Sequence, residues 1–270
     1  MTGRPLLVDA DADAELTANG SVVIDLFSAD EVDRLRAAYE HLDHRITTDR
    51  SFATGFHATI IDDRPDYRAA AFHAAADLCG APFAARFRSV DLVMVNWLHK
   101  EPAAAAVPFH VDWSMVDERV HRSISVWAPL VDTDATSGAI GVVDGSHELV
   151  DFIRAAAHPS YLDTDEFGRR LPGRRLVPLR AGQAVVFDHR LVHFSAPHLG
   201  TVPRVALSCE LVPSEADLLH FEQLGPGRFR RHRVGRDFFV TYASGDDPVG
   251  RPGHLAVDHV DGPAYAGPLA

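Results

Sequence analysis

Residues 122–147 read RSISVWAPLVDTDATSGAIGVVDGSH, and this stretch decides the class of fold. Ser123, Ser125 and Trp127 alternate with apolar neighbours, the period of two that is typical of a β-strand with two unlike faces. Turn-forming residues follow, and a second apolar run occupies 139–143. The stretch therefore predicts two strands of a β-sheet protein joined by a turn.

The same period recurs on both sides of this stretch. Further apolar segments of strand length, separated by turn-forming residues, are 88–98, 175–178, 183–187 and 204–212. Many short strands without intervening helices favour a jelly roll or sandwich over alternating β-α-β units.

Helical patterns precede the strands. Ser28 and Glu31 form a capping box that opens a helix with apolar residues at helical spacing. A second helix is predicted over residues 66–78, ended by Gly-Ala-Pro at 80–82. We therefore expect a mainly β fold with flanking helices.

The whole chain of 270 residues is expected to form one domain. We assign 1–86 to the N-terminal helical part and about 87–213 to the β core. Residues 214–270 are expected to be an irregular extension, because Gly and Pro recur in the tail. The insertion 148–174 is long for a connection, which is typical of a lid or binding loop.

Charge and composition exclude several classes of protein. Lys and Arg total 26 against 38 Asp and Glu, a net charge of −12, which disfavours nucleic acid as a partner. No apolar run is long enough for a membrane span, and an acidic stretch stands where a signal peptide would need its apolar core. We expect a cytoplasmic protein without a membrane partner. Cys79 and Cys209 are expected to be buried thiols.

His110 and Asp112 are the first candidates for chemistry. On an extended chain, a His-x-Asp pair places both side chains on one face. One imidazole and one carboxylate so placed are part of a facial triad that leaves open positions on Fe(II). Taken alone, the pair is equally typical of a structural Asp beside a surface His.

A further histidine is needed, and His189, His193 and His198 all lie just beyond the apolar strand at 183–187. The next strand carries Arg204 on a face with small residues. A guanidinium with space around it suits a carboxylate ligand, although a surface salt bridge would give the same pattern.

Three segments together resemble the phytanoyl-CoA dioxygenase family: HVDW at 110–113, WAPLVDTDATSGAIGVVDGSH at 127–147 and VVFDHRLVHFSAP at 185–197. The resemblance covers roughly residues 20–213. It implies a double-stranded β-helix (a cupin-like jelly roll) that uses Fe(II), with 2-oxoglutarate and O2 as cosubstrates.

The resemblance also assigns roles to residues. It implies His110, Asp112 and His193 as the catalytic metal ligands, since His193 stands eleven positions before an arginine, as in the family. Arg204, helped by Ser195, would hold the distal carboxylate of 2-oxoglutarate. Trp127 matches a tryptophan that lines the cosubstrate pocket. Residues beside the ligands are expected to contact substrate; they are Trp113, Ser114 and Phe194.

The expected activity is hydroxylation of an unactivated C–H bond of a small molecule, with release of succinate and CO2. Asp112 fills the position that halogenating relatives leave to a small residue, which favours oxygenation. Desaturation, cyclisation, epimerisation and a non-catalytic binding role stay open. A natural-product intermediate or a modified amino acid is the expected substrate, and a monomer or homodimer the expected state.

Overall fold

The strands of the computed structural model, which describes residues 4–43, 54–156 and 170–262, form three antiparallel sheets. Their bounds are β1 Ser21–Asp25, β2 Phe56–Ala58, β3 Val90–Lys100, β4 Val107–His110, β5 Ile124–Pro129, β6 Ile140–Val143, β7 Arg174–Leu176, β8 Gln183–Asp188, β9 His193–Ser195, β10 Arg204–Pro213, β11 Leu218–Gly225, β12 Arg228–Val234 and β13 His254–Asp261.

The larger sheet has the order β1-β8-β5-β10-β3-β2, and a second sheet has the order β4-β9-β6-β7. From β3 to β10 the chain passes repeatedly between the two sheets, which is the winding of a double-stranded β-helix. Side chains of both sheets share one apolar cluster, which includes Trp127, Ile140, Val185 and Ala206. The predicted jelly-roll fold is confirmed.

Alternation along β5 and β10 places different chemistry on the two faces of the larger sheet. Ile124 and Val126 of β5 pack with Leu207 and Cys209 of β10 in a cluster shared with the N-terminal helices. The opposite face of β10 turns Arg204 and its polar neighbours inward to the barrel. The predicted division of faces is therefore confirmed, and both cysteines are buried and free.

Three helices cover the outer face of the larger sheet: α1 Ala10–Asn19, α2 Ala29–Glu40 and α3 Pro65–Arg86. The capping box at Ser28 is present. The predicted end of the second helix at 80–82 is wrong, because α3 continues through Pro82. A proline removes one backbone hydrogen bond, and burial of Cys79, Pro82 and Phe83 offsets that loss.

The prediction of an irregular extension at 214–270 is also wrong where the structure describes it. β11, β12 and β13 form a three-stranded sheet. Ion pairs link the central strand β12 to both neighbours: Arg230 pairs with Glu222 of β11, and Arg231 pairs with Asp258 of β13. A strand with charged residues at successive positions lacks the apolar alternation that predicts a strand from sequence.

Three shorter helical turns complete the described structure: Thr59–Ile61, Ser146–Glu148 and Phe238–Thr241. The insertion 148–174, predicted as a lid, is described only at its ends, since 157–169 lie outside the described residues. In the described ranges, no helix combines the length and the apolar character needed to cross a bilayer.

Candidate active site

His110 and His193 lie on neighbouring strands of the second sheet, and Asp112 follows two residues after the end of β4. His110 ends β4 and lies opposite His193, the first residue of β9. Their ring centroids are 4.0 Å apart, and Nε2 of His193 is 3.7 Å from Oδ1 of Asp112. One ligand atom from each residue lies within 4.8 Å of the other two, so the three can hold one metal ion.

Hydrogen bonds orient the two imidazole rings toward the candidate metal position. Nδ1 of His110 donates to the carbonyl of Pro108 at 2.8 Å, and Nδ1 of His193 donates to the carbonyl of Leu191 at 3.0 Å. Each ring therefore keeps its proton on Nδ1 and leaves the Nε2 lone pair for a metal. Burial and the neighbouring His193 lower the pKa of His110, which favours the neutral form that binds a metal.

Asp112 is held by its backbone and by its side chain. Its N–H donates to the carbonyl of His189 at 3.0 Å, and its carbonyl accepts from Nε of Arg154 at 2.6 Å. Oδ2 accepts a hydrogen bond from Ser125. Burial raises the pKa of Asp112, but the imidazoles, His193 foremost, and Ser125 outweigh it, so the net pKa is lowered and the carboxylate is ionised.

A second group, formed by Asp112, His189 and Glu210, also has ligand atoms close enough for an ion. These atoms already have polar partners: Nε2 of His189 lies 3.1 Å from Glu210, and the single Ser125 hydroxyl is within hydrogen-bond distance of both carboxylates. Burial lowers the pKa of His189, yet the bond to Glu210 outweighs it and raises the pKa overall. We interpret this buried network as the support of Asp112, a positioning role.

The sequence does not mark this network as part of the site. It offers His189 only as a rival ligand, yet His189 is fully buried and its Nδ1 lies 2.9 Å from Ser123 Oγ. Glu210 shares the inward face of β10 with Arg204. A carboxylate at an inward strand position is the signal that could have marked it.

Arg204, Trp127 and Ser195 meet in the same cavity. The Arg204 guanidinium is buried, lies 5.3 Å from the centroid of the Trp127 ring and makes one long hydrogen bond, 3.4 Å, to the carbonyl of Leu98. Its Nε has no hydrogen-bond partner among the described residues. Burial lowers the pKa of Arg204 to about 10, so it stays charged near neutrality. A buried cation in such surroundings suits an anionic ligand.

The cavity that joins the triad to Arg204 has a volume of about 430 Å³, which is within the range of small-molecule sites. Much of its lining is apolar. The apolar residues that line it include Phe56, Ile60, Met94, Val107, Trp113 and Met115. Such a wall suits a ligand with a substantial apolar surface.

Two of the three residues predicted to contact substrate line this cavity. Trp113 and Phe194 do so, and Phe194 packs on Gly141, where a Cβ atom would lie 2.2 Å from the ring. Ser114 does not. Its hydroxyl donates to Glu118 and accepts from the backbone N–H of Arg154, because alternation ends with β4 and the chain turns away.

A double-stranded β-helix that holds two histidines and one carboxylate, with one side open to a cavity, defines a mononuclear non-haem iron oxygenase. The chain belongs to the phytanoyl-CoA dioxygenase family, because the sequence model of that family matches residues 16–206. The resemblance seen in the motifs is confirmed. No curated protein sequence matches the chain.

Solved structures share the fold at low sequence identity. The non-haem alpha-ketoglutarate-dependent carbocyclase SnoK from nogalamycin biosynthesis aligns with a TM-score of 0.59 and 21% identity, over 80% of this chain and 90% of that chain. The epimerase SnoN, in complex with Fe3+, alpha-ketoglutarate and nogalamycin RO, gives 0.58 and 22%, over 91% and 94%. HygX from Streptomyces hygroscopicus, with nickel, 2-oxoglutarate and hygromycin B bound, gives 0.56 and 17%, over 77% and 88%.

Proposed function

We propose that the protein is an Fe(II)- and 2-oxoglutarate-dependent dioxygenase that hydroxylates an unactivated C–H bond of a small molecule, with release of succinate and CO2. One observation carries the proposal. A triad with three ligand atoms close together, and a buried arginine that has no ion-pair partner in the described ranges, open into a single cavity. The triad suits iron, and the arginine suits the far carboxylate of a dicarboxylic keto acid.

The residues present fit these groups. His110 and His193 offer neutral nitrogens, and Asp112 offers an ionised oxygen, which is the donor set of non-haem iron sites. When bound, the iron supplies the oxidising chemistry that couples O2 and 2-oxoglutarate to substrate oxidation. Arg204 would orient the cosubstrate, with Trp127 packed beside the guanidinium.

The substrate is proposed to bind against the apolar wall of the cavity, with Trp113 and Phe194 beside the metal position. A natural-product intermediate or a modified amino acid would fit this wall. The structures of HygX with hygromycin B and of SnoN with nogalamycin RO support a small-molecule substrate. Cyclisation or epimerisation is the second candidate outcome, because similar folds are those of a carbocyclase and an epimerase.

Anaerobic titration of Fe(II) and 2-oxoglutarate into the metal-free protein tests the class. We expect a weak metal-to-ligand charge-transfer band in wild type and none in Asp112→Ala. An exposed residue of α3 provides the control, because His73→Ala should keep the band. A wild-type protein that binds iron but gives no band with 2-oxoglutarate would contradict the proposal.

The mass of the product separates the outcomes once substrate-stimulated succinate formation has identified a substrate. Hydroxylation adds one oxygen atom, cyclisation or desaturation removes two hydrogen atoms, and epimerisation leaves the mass unchanged. A product without added oxygen would contradict the hydroxylase proposal while leaving the class intact.

A further inference from the structure

Lys100, the only lysine of the chain, is buried beside the candidate cosubstrate pocket. It is the last residue of β3 and lies opposite Arg204, the first residue of β10, in antiparallel register. Opposite residues of an antiparallel pair project to the same face of the sheet. Two cationic side chains therefore stand together at the end of β10 farther from Glu210, and Arg204 of this pair lines the cavity.

Both cations donate hydrogen bonds to neutral oxygens. Nζ of Lys100 donates to Oγ of Ser195 at 2.8 Å and to the carbonyl of Ala196 at 2.5 Å. Arg204 donates to the carbonyl of Leu98. A buried charge costs free energy unless it is compensated, so the pair is electrostatically complete only with an anion in the cavity.

The contact with Lys100 also fixes the direction of the Ser195 hydroxyl. A bound anion favours the ammonium form of Lys100, and an ammonium group can only donate hydrogen bonds, so Ser195 must then accept this one. The proton of its hydroxyl is then free to point elsewhere, and Ser195 lines the cavity. Ser195 thereby becomes a donor toward a ligand, in the same cavity as the Arg204 guanidinium.

We propose that Lys100 is a positioning residue for the cosubstrate: it orients the Ser195 hydroxyl as a donor to the distal carboxylate of 2-oxoglutarate and adds a second positive charge behind it. The inference rests on the proposed function and deepens it. It explains why the single lysine is buried in the barrel. It also means that Lys100 of β3, Arg204 of β10 and Ser195 of β9 together produce the preference for a dicarboxylic keto acid.

A double-mutant cycle on 2-oxoglutarate affinity tests this role. The variants are Lys100→Met, which keeps length without charge, Ser195→Ala, and the two combined. We expect each single variant to raise the dissociation constant for 2-oxoglutarate by about tenfold or more. The anaerobic Fe(II) charge-transfer band measures this constant. The double variant should be little weaker than Lys100→Met, because the lysine acts through the serine.

Further readouts separate positioning from a loss of structure. KM for 2-oxoglutarate should rise with little change in kcat, and glutarate should stabilise metal-free wild type against heat but not Lys100→Met. His99→Gln is the matched control, because His99 precedes Lys100 on β3 and contacts Tyr39 and Glu101 instead. Lys100→Gln, which lacks the charge and whose amide oxygen can accept a hydrogen bond from the serine hydroxyl, serves if the methionine variant does not fold, and it should also bind 2-oxoglutarate more weakly.

The outcomes are distinguishable. Wild-type affinity in Lys100→Met or Lys100→Gln overturns the proposal, and so do additive losses in the cycle, which would mean that the lysine does not act through Ser195. If wild type itself binds no 2-oxoglutarate in the presence of Fe(II), the proposed function fails first, whatever the variants do.

Discussion

Replacing Arg204 by glutamine should change cosubstrate affinity and protein stability in opposite directions. In the free protein the guanidinium is 1% exposed and has no ion pair within the described part of the chain. With 2-oxoglutarate bound, it would be the charged partner of a buried carboxylate. The Arg204 charge therefore lowers the stability of the free protein, whereas the same charge is needed to bind 2-oxoglutarate.

The size of the first effect follows from general energetics of buried ion pairs, and that of the second from the burial of Arg204. Loss of the charged partner of a buried carboxylate costs about 3–5 kcal/mol, which is roughly two to four decades of affinity. Burial lowers the pKa of Arg204 from 12.5 to about 10. At about 1.4 kcal/mol per pKa unit, keeping the charge in the free protein costs about 3 kcal/mol. Lost contact with the Trp127 ring offsets about 1–2 kcal/mol of this.

We therefore expect Arg204→Gln to bind 2-oxoglutarate at least about a hundredfold more weakly. The free energy of unfolding of the metal-free protein should rise by about 1–2 kcal/mol, the difference between the relieved burial cost and the lost ring contact. Calorimetric titration of 2-oxoglutarate into the Mn(II)-loaded protein and urea denaturation of the metal-free protein measure the two quantities. Unchanged affinity would refute the role of Arg204, and a large loss of stability would refute its description as an uncompensated charge.

Alanine at any metal-ligand candidate should abolish Fe(II) binding and turnover while circular dichroism shows a retained fold, because the ligands face a cavity; these candidates are His110, Asp112 and His193. In contrast, His189→Ala should lower the free energy of unfolding by about 2–4 kcal/mol in urea, because Glu210 loses its buried partner, while exposed His73→Ala should change it little. A stable His189→Ala protein would contradict the supporting role of that network. Burial and the charge of Arg204 lower the pKa of Lys100 from 10.5 to about 7, so between these values the unfolded chain binds more protons and stability should rise with pH, by at most about 1.4 kcal/mol per unit. Lys100→Met, measured over the same pH range, should lack that slope; equal slopes would mean that Lys100 is not the group that titrates.

The sequence alone predicted the β core and its two unlike faces, and the family resemblance added the candidate metal ligands. Period-two alternation depends only on local backbone geometry, so it identified β5 and β10 and the residues of each strand that share a face. The ligands were also predictable, because a His-x-Asp pair and a histidine at a set distance from Arg204 form a pattern within short segments. The choice of His193 over the neighbouring histidines rests on the family resemblance, in which the ligand stands eleven positions before the arginine.

Only the tertiary structure decided what surrounds those ligands. Lys100 meets Arg204, and Glu210 meets His189, across strands that are distant in the chain, and sheet order and register bring them together. Alternation also fails where a strand ends, as at Ser114, and where ion pairs hold the strand, as in β12. The physical reason is that periodicity reports which face a side chain takes within one strand, whereas contacts between strands depend on how the whole barrel closes.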